Sequence, residues 1–142
     1  MFDEAAMVLK DIAPEDKTRN GVLGARVGIN MAARKWDMAA AVASHLVKVD
    51  AQTPGWWISL AYALRRTESI EKAEAILLRA QAIHPKVAMI SFNLACYASV
   101  TSRLEEAKER LRHAIELDSG IRGLALDEKD LHPLWDWIGG LK

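Results

Sequence analysis

Four histidines, His45, His84, His113 and His132, carry the side chains best suited to proton transfer and to zinc, so they set the first question of chemistry. They are dispersed. No two stand at ligand spacing, and Cys96, the one cysteine, has no second thiol with which to share a metal or close a disulfide. Gly21, Gly24 and Gly28 have the composition of a phosphate-cradling loop, yet no strand pattern precedes them and no Gly-Lys-Ser/Thr follows. Asp127, Glu128 and Asp130 lack the alternating oxygen ligands and closing bidentate glutamate of a calcium hand. No local motif sets a nucleophile beside a base. The expectation is a protein that is not an enzyme and holds no metal and no cofactor.

Composition points the same way. The 142 residues are 51% apolar and 27% charged, with 19 Lys+Arg against 19 Asp+Glu. A chain of this size buries roughly two thirds of its unfolded surface and needs no disulfide or metal to hold it. Formal neutrality disfavours a nucleic-acid surface, which depends on a cationic excess to displace counterions. No apolar run approaches the roughly 18 to 20 residues of a membrane span, and Asp3 and Glu4 beside Met1 are unlike a basic signal-peptide start. A single thiol suits a reducing compartment, so the expected location is cytoplasmic.

The elements that must position any site are helices. Apolar residues recur at three and four positions over about 2 to 13, 20 to 33, 36 to 50, 54 to 67, 70 to 83, 87 to 101, 104 to 118 and 131 to 138. Breaks are expected at Pro14, Pro54, Pro85, Gly120 and Pro133. Ala5, Ala39, Ala73 and Ala107 are evenly spaced, and three apolar columns march with them. Three positions earlier stand Phe2, Trp36, Ile70 and Leu104; four later, Leu9, Ala43, Leu77 and Leu111; seven later, Ile12, Leu46, Ala80 and Ala114. A period shared by four columns means one helical hairpin used several times.

The pattern resembles tetratricopeptide repeats. Trp57, Leu60, Ala61 and Leu64, then Ala73, Leu77, Ala80 and Pro85, stand at that family's spacings. The next unit has Leu94, Ala95, Ala98, Ala107, Leu111 and Ala114, with Ser119 in place of proline. The first full unit matches in its second helix, and Arg26 takes a normally apolar packing position of the first. The resemblance implies an all-α, right-handed solenoid of three hairpins forming one domain. Its parts would be an amino-terminal helix of a partial repeat (1–19), repeats at 20–53, 54–87 and 88–121, and a carboxyl-terminal cap (122–142).

It further implies a concave groove lined by the first helices, and a protein-interaction function that receives a partner's peptide or helix there. The stripe turned away from the packing columns is Gly21, Gly24, Gly28 and Met31, then Gly55, Ile58, Tyr62 and Arg65, then Met89, Phe92, Cys96 and Ser99. The expected contacts are Gly24, Gly28, Met31, Ile58, Tyr62, Met89, Phe92 and Cys96, with Arg65 or Arg66 meeting a carboxylate. The alternative is that residues 2 to 13 or the carboxyl-terminal segment cover the stripe. Some relatives grip the acidic carboxyl terminus of heat-shock chaperones with Lys and Asn; here the matching places hold Gly24, Gly28, Ser59, Cys96 and Val100, so that clamp is missing. A second reading of the resemblance is a small chaperone that shields an apolar segment of a secreted client.

Three local expectations complete the reading. The glycines weaken helix 20 to 33, so either another element packs closely on Gly24 and Gly28 or the helix is short and frayed. Met38, Ala40, Ala41, Val42 and Val47 leave helix 36 to 50 apolar nearly all round, which calls for cover on both sides: residues 2 to 13 on one, and on the other a second subunit in a homodimer through the amino-terminal helices, the alternative being a simple capped monomer. Trp135 and Ile138 are expected to pack on helix 104 to 118 as a cap, with Trp137 exposed.

Overall fold

The computed structural model describes residues 19–141; the expected helix 2 to 13 lies outside the described residues. Among those residues the structure is helical and contains no strand. The helices are α1 (Arg19–Ala32), α2 (Trp36–Val49), α3 (Pro54–Thr67), α4 (Ile70–Ile83), α5 (Ala88–Val100), α6 (Leu104–Leu117), α7 (Ile121–Asp127) and α8 (Trp135–Gly139), with a 3-10 segment at Lys129–Leu134. The bounds repeat. Second helices begin at Trp36, Ile70 and Leu104 and end at Val49, Ile83 and Leu117, at the same even interval as the alanines.

Three of the four expected columns form the core, while in the fourth Trp36 and Ile70 are half-buried and Leu104 is exposed. Ala39, Ala73 and Ala107 are fully buried, as are Ala43, Leu77 and Leu111, and Leu46, Ala80 and Ala114. Small residues at these places let helices approach closely, while Leu and Trp57 fill the space between them. Pro54 opens α3 at a position where its missing N–H costs nothing. Glu105 and Glu106 stand in the first turn of α6, and Arg65 and Arg66 in the last turn of α3, each favourable to the helix dipole.

Two hairpin turns are built alike. α1 is followed by Arg34 at φ 59°, and α5 by Ser102 at φ 64°. The Lys35 N–H reaches back to the Asn30 carbonyl at 2.7 Å, and the Arg103 N–H to the Ala98 carbonyl at 2.8 Å. Arg34 and Ser102 add shorter-range bonds to Met31 and Ser99, completing the paired bonds of a Schellman closure on residues other than glycine.

The chain divides into two compact units, residues up to Ile76 and residues from Leu77. In the first, α1 packs on α2, α2 on α3, and α1 also touches α3. In the second, α5 packs on α6 and on the 3-10 segment, while α7 meets α5, α6, the 3-10 segment and α8. A polar relay fixes three elements of this unit. Arg110 of α6 donates to Glu106 at 3.0 Å and to Gln81 of α4 at 3.3 Å, and the Gln81 amide donates to the buried hydroxyl of Ser91 on α5 at 3.3 Å.

The carboxyl-terminal segment departs from expectation. In place of one helix from 131 to 138 it has α7, then a 3-10 turn containing Pro133, then α8. Proline donates no N–H and its ring crowds the preceding turn, and the 3-10 segment accommodates it where a longer α-helix would break. Leu131, Leu134 and Ile138 are buried. Both tryptophans are half-buried, so Trp137 is not the exposed one that the sequence predicts. Trp135 Nε1 donates to the carbonyls of Ala125 and Glu128 at 3.1 and 3.2 Å, and its ring meets His132 edge-on at 4.7 Å. Trp137 instead faces α6, its ring 5.0 Å from the Arg112 guanidinium and 5.6 Å from the Lys108 ammonium. Arg122 closes the segment by donating to the carbonyls of Ile138 and Gly139, satisfying the end of α8.

Candidate interaction surface

The first unit owes the geometry of its surface to the loop before α3. Asp50 accepts from the Thr53 hydroxyl at 2.8 Å and from Trp56 Nε1 at 3.0 Å, and Trp57 Nε1 donates to the Ala51 carbonyl at 3.0 Å. Thr53 therefore spends its hydroxyl on the loop and makes no side-chain cap bond to α3. With both indoles tethered, Trp57 is 2% exposed in the core and Trp56 extends toward α1. A methyl group placed on Gly24 would collide with the outer edge of the Trp56 ring, with Cζ3 at 2.8 Å.

This contact accounts for glycine at position 24. Gly24 and Gly28 are buried with Val27, so this face of α1 is a packing face, while Arg26 is exposed. The helix that the glycines weaken forms from Arg19 to Ala32. Of the two expectations for this helix, the close approach holds at Gly24, and its source is an indole that sequence reading missed. The signal lay in the adjacent pair Trp56–Trp57 with Asp50 shortly upstream.

On the rest of α3 the expected stripe lies at the surface. Ile58, Tyr62 and Arg65 are half-buried, Met31 of α1 is half-buried, and Arg66 is exposed. The Arg66 guanidinium lies 3.6 Å from the Tyr62 ring centre and 4.8 Å from that of Trp36, and Nη1 donates to the Tyr62 carbonyl at 2.9 Å. Trp36 and Tyr62 themselves pack tilted, 5.6 Å apart. Beside them opens a depression of about 530 Å³ lined by Arg34, Lys35, Trp36, Asp37, Met38, Arg66 and Thr67. Arg66 thus stacks its guanidinium on two aromatic rings while one of its nitrogens is bound to the Tyr62 carbonyl.

A second depression of about 410 Å³ runs between α1 and α2, lined by Arg26, Ile29, Asn30, Met38 and Val42. Ile29 is 56% exposed, Met38 54% and Val49 53%. Helix α2 buries only the face carrying Ala39, Ala43, Leu46 and Val47.

The second unit treats its share of the stripe differently. Met89 is exposed, but Phe92 and Cys96 are each 4% exposed and Ser99 is buried. Nine of the 13 residues of α5 are buried, so this is the helix that is covered nearly all round. Its partners within the unit include the 3-10 segment, in line with the alternative that the carboxyl-terminal segment covers part of the stripe. Because Phe92 and Cys96 are buried, a ligand reaching them must first displace what covers them, whereas Ile58, Tyr62 and Arg65 are half-buried and Arg66 and Met89 exposed.

Among the described residues no group of three His, Cys, Asp or Glu is placed to hold a metal ion, and no helix is long and apolar enough to cross a membrane. No protein-family model matches the chain, and comparison with curated proteins and with solved structures likewise gives no match.

Proposed function

We propose that the chain is a non-catalytic protein-interaction module of the tetratricopeptide type, which takes a segment of a partner protein along the inner stripe of its first helices. Ile58 and Tyr62 meet apolar side chains of the partner, and Arg65 or Arg66 meets a carboxylate. One observation carries the reading: helix bounds and fully buried alanine columns recur at one constant interval, yet the Ile58–Tyr62–Arg65 stripe of α3 stays out of the core. Half-buried aromatic surface flanked by arginine is the composition enriched at protein contacts.

The test selects peptides from a random displayed library on the full chain, then measures the winners by fluorescence anisotropy. A shared acidic–apolar motif that loses at least about tenfold in affinity with Tyr62→Glu, and less with the control Glu109→Gln on α6, supports the reading. A selection with no enrichment, or winners that bind the folded Tyr62→Glu protein undiminished, overturns it.

A further inference from the structure

We propose that the depression between the α1–α2 turn and the end of α3 binds a phosphate monoester, the group that a phosphorylated side chain of a partner presents. Arg34, Lys35 and Arg66 line it, all three exposed, and Asp37 is the one acid among its lining residues. The surrounding charge has the same sign. Residues 19–76 hold eight Lys and Arg against five Asp and Glu, whereas residues 77–142 hold nine of each, so the described part of the first unit is cationic and the second unit is balanced.

The repeat supplies its own comparison. Two periods along, Ser102 and Arg103 form a turn with the same left-handed residue and the same reach-back bond, and there Arg103 donates to Glu106 in the first turn of α6 at 3.2 Å. At the start of α4, Lys72 likewise meets Glu68 at 3.1 Å. In the first hairpin Met38 stands in the place of Glu106, and Arg34 in the place of Ser102. The turn with the added cation is therefore the one whose sequence omits the acid its later counterpart carries.

Chemistry selects the anion. A carboxylate brings one charge and two oxygens in a plane, which a single bidentate arginine matches. A phosphate monoester brings a charge of about −1.5 to −2 and three acceptor oxygens that point apart, which suits cations supplied by two separate elements. Arg66 is already oriented by the Tyr62 and Trp36 rings and by the Tyr62 carbonyl, so little side-chain freedom is lost when its charge is used. The inference adds to the segment proposed for α3 without resting on it, because the phosphorylated residue alone probes the site.

Nuclear magnetic resonance titration of the isotope-labelled full chain with capped phosphoserine, capped glutamate and inorganic phosphate tests the site. Phosphoserine should give saturating shifts confined to Arg34–Met38 and Arg66–Thr67, with a dissociation constant that rises at least about tenfold when Arg34→Gly and Lys35→Gln are combined. Glycine suits φ 59°, so the double variant should keep its fold, which an unchanged spectrum elsewhere verifies. Shifts that fail to saturate overturn the proposal, as does equal binding by the folded double variant. Capped glutamate bound as tightly as phosphoserine overturns the choice of phosphate and assigns the site to a carboxylate. Inorganic phosphate bound more tightly than the capped residue overturns the side chain as its source and leaves a free anion.

Discussion

Gly24 of α1 and Trp56 of α3 occupy one space: the indole edge stands where the first atom of any larger side chain would be. The Asp50 carboxylate holds that indole by its N–H, so the ring has little freedom to retreat. A glycine that lowers the intrinsic stability of its helix thus secures the packing of α1 against α3.

Gly24→Ala should therefore destabilise the protein by about 1 kcal/mol or more, although alanine favours a helix interior by about the same amount. In a Trp56→Ala background the sign should reverse, with Gly24→Ala stabilising by about 0.5 to 1 kcal/mol. Chemical denaturation of the four proteins gives the coupling directly. An equal effect in both backgrounds would remove the contact from the explanation.

The left-handed turns make a second prediction. Ser102 sits at φ 64°, where a side chain costs about 1 to 2 kcal/mol and glycine costs little, although glycine also loosens the unfolded chain. Ser102→Gly should raise the unfolding free energy by about 0.5 kcal/mol, and Arg34→Gly, at φ 59°, should act likewise. Thermal melts that fall for both variants would contradict this.

Ala107 is fully buried and Leu104, on the same helix, is 37% exposed. Ala107→Leu should cost about 1 to 3 kcal/mol through overpacking, whereas Leu104→Ala should cost clearly less because the truncated side chain is part-solvated already. Comparable losses from the two would mean that the alanine column is not a close-packed seam.

Ser99 carries a buried hydroxyl with no hydrogen-bond partner among the described residues. Removing it by Ser99→Ala should leave the fold intact and stabilise it by about 1 kcal/mol, since an unpaired buried hydroxyl is a net cost. Destabilisation measured by urea titration would show that the hydroxyl is satisfied in solution.

How much was legible beforehand varies with the physics involved. The alanine columns could be read because an even period survives in residue type, and burial follows from it. Helices α3 and α4 accordingly begin and end where the periodicity places them. The turns could not be read in the same way: Arg34 and Ser102 adopt a conformation that residue type signals only when glycine is present. The stripe was half legible. Its α3 members lie at the surface, but Phe92 and Cys96 do not, and the apolar run from Ala88 to Val100 was the available warning. For helix 36 to 50 the same argument expects cover from residues 2 to 13 and from a second copy; neither lies among the described residues, where Met38 and Val49 are exposed. At the carboxyl end the spacing of Trp135 and Trp137 did not reveal which indole would find backbone carbonyls to donate to, because that depends on how α7 ends.

The burial of Cys96 has a practical corollary. A thiol introduced at an exposed position becomes the chain's one readily reached thiol for dyes, spin labels or attachment to a surface. Such probes can be installed without first deleting the native sulfur from the helix it helps to pack.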